Sequence, residues 1–162
     1  MSQDLATDKA LKTHLRALLT ERQAHLNLDN VLDDFPLDQI NTDLGLPYTA
    51  WGLLWHLWST QRDILEFVRD TDYAEKVWPA DYWPKTAGTA QSWQQTAEGL
   101  QTDLDEFLAL LDNADPFAVV PNGAEPGGGG QTWLREALLI ADHNAYHLGE
   151  VVVVRRLLDA NS

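Results

Sequence analysis

The chain has 162 residues, which is the length of one domain and is enough to bury a core. Its 25 acidic and 11 basic side chains give a formal net charge of −14, a balance that argues against nucleic-acid or anionic-membrane binding and fits small-molecule or protein partners. It contains no cysteine, which excludes disulfides, thiolate ligands and a cysteine nucleophile. No stretch reaches the roughly eighteen apolar residues of a membrane span. The polar N-terminus lacks the apolar region of a signal peptide, so we expect a cytoplasmic protein.

Apolar residues recur at helical spacing in four segments, and no segment alternates strongly in the manner of a strand. We expect helices over residues 4–27, 49–69, 89–112 and 132–158. The fold class is therefore all-α, a four-helix bundle with long connections that forms a single domain over residues 1–162. The run Val151–Val154 is the weakest point of this assignment, because valine favours strands.

Two helix starts carry capping signals. Thr49 comes two residues after Pro47 and is suited to cap the second helix. For the third helix, Ser92 with Gln95 has the spacing of a capping box, and Thr89 competes with Ser92 for the cap position.

The connection TDYAEKVWPADYWPKTAG, residues 71–88, is rich in aromatics and proline. We expect an ordered irregular insert or a short helix that covers an edge of the core. The second helix also carries a tryptophan stripe on the side opposite His56, formed by Trp51, Trp55 and Trp58. The aromatic side chains of the insert are the expected partner of this stripe, and homodimerisation is the second explanation, because monomers rarely expose large apolar patches.

The last predicted helix carries two histidines four residues apart, His143 and His147, which therefore share one face. His56 lies in the apolar stretch WGLLWHLWSTQRDIL of the second helix, so its imidazole should be buried and should need a partner. Three imidazoles could hold a metal ion with one coordination position open. Alternatively, His56 is an ordinary hydrogen-bonded core residue and the pair on the last helix arises by chance. His14 and His25 lie in the charged first segment and are expected at the surface.

Neither His-Glu-x-x-His nor Glu-x-x-His occurs in the chain, which argues against a zincin helix and against a di-iron carboxylate bundle. Glu150 lies one turn beyond His147 and could orient an imidazole or act as a general base. A solvated carboxylate at the end of the bundle is the alternative interpretation of Glu150. Asp63, two turns beyond His56, is a weaker candidate for a supporting role.

Three stretches together resemble the DinB-like (YfiT-type) superfamily of small bacterial metal-binding helical proteins: GLPYTAWGLLWHLWSTQRDIL, WPADYWP and TWLREALLIADHNAYHLGEVVVVRRLL. The resemblance implies a four-helix bundle that holds a divalent metal through one histidine of the second helix and two of the last. In this sequence those positions are His56, His143 and His147. We expect zinc or nickel first, with iron or manganese as alternatives.

Members of this superfamily with assigned activity resemble thiol-dependent transferases that use bacillithiol, mycothiol or similar thiols, and some were named hydrolases. The resemblance therefore implies a metal-dependent enzyme that activates a low-molecular-weight thiol or water, of the thiol S-transferase type. Three neutral imidazoles would leave the charge of the metal undiminished and keep it a good Lewis acid. The alternatives are a metal-dependent hydrolase and a non-catalytic, stress-related metal-binding bundle.

Overall fold

The computed structural model describes residues 2–124 and 130–160. The described chain contains five helices: α1 Ser2–Thr20, α2 Leu28–Leu32, α3 Ala50–Arg69, α4 Ala90–Asn113 and α5 Trp133–Ala160. Helix α3 packs against α4 and α5, and α1 also contacts both of these helices. The described residues form no strand, and the only β contact among them is an isolated antiparallel bridge between Val119 and Thr132. The expected all-α architecture with four long helices is confirmed.

None of the described helices combines the length and the apolar composition needed to cross a bilayer.

The first predicted helix was too long, because α1 ends at Thr20 and a separate short helix, α2, follows at Leu28. A new helix begins there because the Asn27 side chain accepts a hydrogen bond from the Asn30 backbone N–H and so caps α2. The other end of α2 is held from a distant part of the chain. The Arg155 guanidinium of α5 donates to the backbone carbonyl oxygens of Val31 and Asp33. Local periodicity could not reveal this contact.

Threonine side chains cap the starts of helices α3 and α4. The Thr49 side chain accepts from the Gly52 N–H at the start of α3, as predicted. Helix α4 begins earlier than the Ser92–Gln95 box would place it. Thr89 is the cap, its side chain accepts from the Ser92 N–H, and the Ser92 hydroxyl accepts from the Thr89 N–H. The predicted Ser92–Gln95 capping box was wrong, because the capping box forms one turn earlier, between Thr89 and Ser92.

The valine run continues α5 instead of forming a strand. Val151 and Val154 are buried on one face of the helix, while Val153 is exposed. Burial of this face against the other helices therefore outweighs the weak helix propensity of valine.

The buried apolar residues form two separate clusters. The first core cluster comprises Val31, Phe35, Ile40, Ala50, Trp51, Leu53, Leu54, Leu57, Trp93, Leu100, Leu148, Val151, Val154 and Leu158. The second core cluster comprises Leu15, Leu65, Val68, Leu104, Phe107, Leu108, Leu111, Val120, Ala137 and Ile140. Each long helix contributes residues to the core, but the side chains of the two clusters fill different parts of the bundle.

The insert at residues 71–88 contains no helix and is an ordered irregular segment. Its end covers part of the tryptophan stripe, since the Trp51 indole N–H donates to the Thr86 carbonyl at 2.9 Å. Gly88 lies so close to the Trp51 ring that an added Cβ would meet it at 2.5 Å. Trp58 lies instead against Gly99 of α4. The insert thus contacts the stripe at Trp51 through Thr86 and Gly88, and not through its aromatic side chains.

The aromatic side chains of the insert have a different partner from the one expected. Trp78 and Trp83 both pack against the imidazole of His56. The expectation that the insert's aromatics cover the tryptophan stripe was wrong, because their rings lie on the histidine face of α3.

Candidate metal centre

Helices α3 and α5 bring the three predicted histidines together at one point. One ligand nitrogen from each of His56, His143 and His147 lies within 4.8 Å of the other two. The Nε2 atoms of His56 and His143 are 3.2 Å apart. His56 is only 2% exposed, and the other two side chains are half-buried. Across the described residues, these three histidines form the one group of side chains suited to bind a metal ion.

The His56 imidazole is held by the insert. Its Nδ1 donates to the backbone carbonyl of Tyr82 at 2.8 Å, and a carbonyl can only accept, so this nitrogen carries the proton. The Trp83 ring stacks on the imidazole, with centroids 4.2 Å apart and an interplanar angle of 0°. His56 therefore has a defined orientation, and its Nε2 lone pair faces the other two histidines.

The His147 imidazole is held by Glu150, the carboxylate that the sequence placed one turn beyond it. Its Nδ1 donates to Glu150 Oε2 at 2.7 Å, which again leaves Nε2 unprotonated when the ring is neutral. Tyr48, from the connection before α3, lies beside the same carboxylate. Burial and then the negative charge of Glu150 raise the pKa of Tyr48. Glu150 is thus in contact with a histidine and is not a free carboxylate at the end of the bundle.

The third imidazole, His143, has its Nδ1 3.4 Å from the hydroxyl of Thr60. That hydroxyl donates to the His56 backbone carbonyl at 2.8 Å, so its oxygen is left to accept from His143. Each of the three rings therefore has an acceptor at Nδ1. This is the arrangement by which proteins fix the tautomer and orientation of metal-binding histidines.

The protonation of the site favours a cation between the rings. Burial, followed by the neighbouring His147 and His56, lowers the pKa of His143 to about 4. Burial is also the largest cause that lowers the pKa of His56. The Nε2 atoms of the two neutral rings are 3.2 Å apart, so one proton can bridge them in the metal-free protein, and when both Nδ1 atoms donate both Nε2 lone pairs are free to bind a cation. A tetrahedral ion with metal–nitrogen bonds of ~2.0–2.1 Å would separate two ligand nitrogens by about 3.3–3.4 Å, so the donor set fits such an ion.

Asp63 does not face the three histidines directly. Its carboxylate accepts from the hydroxyls of Tyr73 and Tyr82, the latter at 2.6 Å. Because the Tyr82 carbonyl binds His56, Asp63 supports the site through the insert. His14 and His25 are exposed, as expected.

Three supporting residues were not predicted from the sequence: Thr60 and Tyr82 contact imidazoles, and Tyr48 lies beside Glu150. Thr60 lies one helical turn after His56, a spacing that could have identified it. Tyr82 acts through its backbone carbonyl and Tyr48 comes from an irregular connection, so neither has a local sequence signal.

Two exposed aromatic rings border the histidine cluster. Trp78 and Tyr146 are each 66% exposed. The Trp78 ring centroid is 6.2 Å from that of His56, and the Tyr146 ring meets His147 edge-on at 4.9 Å. Their positions provide an apolar border at which a small molecule could contact the site.

The metal-free protein should lose stability as the pH falls from 6.5 to about 4. In this window the unfolded chain, whose histidines have ordinary pKa values, binds more protons than the native state, in which the pKa of His143 is lowered. The stabilising contribution of the neutral His143 ring is complete above the pKa that this histidine has in the unfolded chain. It is lost as the pH falls toward the lower pKa that His143 has in the native state. Urea unfolding with a chelator at several pH values measures the slope, and His143→Asn should make it shallower. An equally steep slope in the variant would contradict the assignment.

Glu150→Ala should weaken metal binding by ~10–100-fold, because the His147 ring would lose the acceptor that fixes its tautomer. Glu150→Gln should retain most of the affinity, since its amide oxygen can still accept from Nδ1. Competition with a chromophoric chelator measures both. Asp142→Ala, an exposed acid on the same helix, is the matched control and should leave the affinity unchanged. Wild-type affinity in Glu150→Ala would show that this contact has no role in metal binding.

Comparison with known proteins identifies one family. The family model described as the DinB superfamily matches residues 18–151, which is most of the chain and includes all three histidines. No curated protein and no solved structure matches the chain.

Proposed function

Because the chain belongs to the DinB superfamily, we propose that His56, His143 and His147 bind a divalent metal ion and that the protein is a metal-dependent enzyme of the thiol S-transferase type. The observation that supports this most strongly is the convergence of three imidazoles whose Nδ1 atoms are all engaged. Structural zinc sites are usually closed by four protein ligands, whereas catalytic sites use three and keep one position open. Three histidines with no fourth candidate ligand among the described residues fit the catalytic pattern.

Imidazole ligands suit zinc and nickel, which we propose first, ahead of iron and manganese. When bound, such an ion acts as a Lewis acid that lowers the pKa of a thiol or water. The protein's own contribution is to orient the ligands. Glu150 positions His147, and the Tyr82 carbonyl with the Trp83 ring positions His56. We assign Glu150 a positioning role, with proton transfer as a second role to be tested.

The substrate we propose is a small molecule with an apolar or planar part. Trp78 and Tyr146 expose aromatic rings beside the histidines and would contact that part. The chain has no cysteine, so a reacting thiol has to come from solution. The net charge of −14 makes nucleic acid an unfavourable partner.

The test uses protein loaded with cobalt(II), a spectroscopic substitute for zinc. Titration with a small thiol such as β-mercaptoethanol should produce a thiolate-to-metal charge-transfer band. The loaded protein should then accelerate consumption of the thiol by an aromatic electrophile such as chlorodinitrobenzene. His143→Ala should show neither effect, while Asp142→Ala should show both.

The outcome separates the candidate functions. Metal binding without a thiol-dependent band or thiol consumption would contradict the transferase proposal. If the same preparation hydrolyses p-nitrophenyl acetate, the protein is a metal-dependent hydrolase. If it does neither, the metal has a structural or regulatory role.

A further inference from the structure

A second potential binding site lies inside the bundle, where the two core clusters meet. A cavity of about 280 Å³, open to solvent on one side, is lined by the end of α1, the connection to α2, and helices α3, α4 and α5. Its apolar wall includes Leu57, Leu100 and Leu148 of the first core cluster and Leu104 of the second. None of the three clustered histidines lines it. The cavity is therefore separate from the candidate metal centre.

The cavity is open to solvent on one side and is large enough to hold a small ligand. An engineered apolar cavity of about 150 Å³ already binds benzene. At about 30 Å³ for each water-sized group, the volume found here corresponds to about nine such groups.

The polar groups in the wall indicate that the buried part of the ligand is apolar. Gln61 is 1% exposed, and its Nε2 donates to the Leu100 carbonyl at 2.6 Å. Its Oε1 accepts from Asn144 Nδ2 at 2.9 Å. These amides are thus engaged with the protein, and a ligand chain beside them would meet mainly leucine and alanine side chains.

The mouth of the cavity is acidic. Glu21, after α1, and Asp29, in the first turn of α2, are both exposed and both line the cavity. The other lining residues that the structure describes include no lysine or arginine, and His25 is the one further titratable side chain among them. A bound head group would therefore meet two carboxylates without a lysine or arginine to balance them, which favours a positive charge.

We propose that this cavity binds a primary alkyl amine of about eight carbons, with the chain among the leucines and the ammonium group beside Glu21 and Asp29. The volume sets the chain length, the leucine wall sets its apolar character, and the two carboxylates set the charge of the head group. The proposal is independent of metal binding.

Calorimetric titration of the purified protein with octylamine, octanol and octanoate tests the ligand class. Octylamine should bind saturably with one molecule per chain, and octanoate should bind about tenfold more weakly or worse because its head group is repelled by the carboxylates. The double variant Glu21→Gln/Asp29→Asn should reduce the affinity for octylamine to that for octanol. Equal affinity for octylamine and octanoate, or no saturable binding of octylamine, would overturn the proposal.

Filling the cavity tests the location. Ala145 lines it from α5, so Ala145→Phe should abolish octylamine binding, and the smaller Ala145→Leu should weaken it if phenylalanine prevents folding. Ala109→Phe, at an exposed position of α4 outside the cavity, is the matched control and should bind normally. His147→Ala should also bind octylamine normally, which separates this proposal from the metal proposal. Undiminished binding by folded Ala145→Phe would show that the amine binds elsewhere.

Discussion

Replacing His143 by alanine should abolish stoichiometric metal binding, with the metal content falling from about one ion per chain to near zero. His143 supplies one of only three imidazole nitrogens at the site, and its Nε2 lies 3.2 Å from that of His56. The two remaining imidazoles would form an incomplete site that loses its ion on dialysis. Elemental analysis after dialysis of protein incubated with zinc or nickel measures the effect.

His14→Ala provides the matched control, because His14 is exposed and lies outside the histidine cluster. It makes the same chemical change and should retain the metal. Circular dichroism of both variants checks that the helices remain intact. Equal metal content in His143→Ala and wild type would refute the site assignment.

Phe107→Ala should lower the free energy of unfolding by ~3–5 kcal/mol. Phe107 has 0% exposure and belongs to the second core cluster, with its ring 6.2 Å from that of Trp133 on α5. Truncation removes buried apolar area and leaves a cavity that the packed helices can close only in part. Urea denaturation of the metal-free proteins, with the slope of the transition compared between them, measures the loss.

Phe117→Ala is the matched control for the core prediction. Phe117 is 65% exposed in the connection between α4 and α5, so its removal should change the free energy of unfolding by about 0.5 kcal/mol or less. Similar small changes in both variants would mean that the second core cluster contributes far less to stability than its burial indicates.

Helices α3 and α5 each carry residues of both proposed sites at adjacent positions. His56 faces the metal centre and its neighbour Leu57 lines the cavity. In α5, His147 belongs to the metal centre and the next residue, Leu148, lines the cavity. Successive residues on a helix point about 100° apart, so one pair of helices can form two separate sites.

Much of the candidate site could be predicted because it depends on short-range geometry. The spacing of His143 and His147 places both on one face of any α-helix, whatever its surroundings. The apolar composition around His56 made its burial predictable. The charged residues around His14 likewise made its exposure predictable. The Thr49 cap was predictable for the same reason, since its partner lies three residues away.

Tertiary contacts alone decided how the imidazoles are held and where the core remains open. The Tyr82 carbonyl reaches His56 across 26 residues, and the hydrogen bond from Asn144 to Gln61 spans 83. Such contacts depend on how irregular connections fold back onto the helices, which leaves no periodic signal in the chain. Helical periodicity thus determined which residues share a face, whereas long-range packing determined which acceptor meets each histidine and left the cavity between the two core clusters.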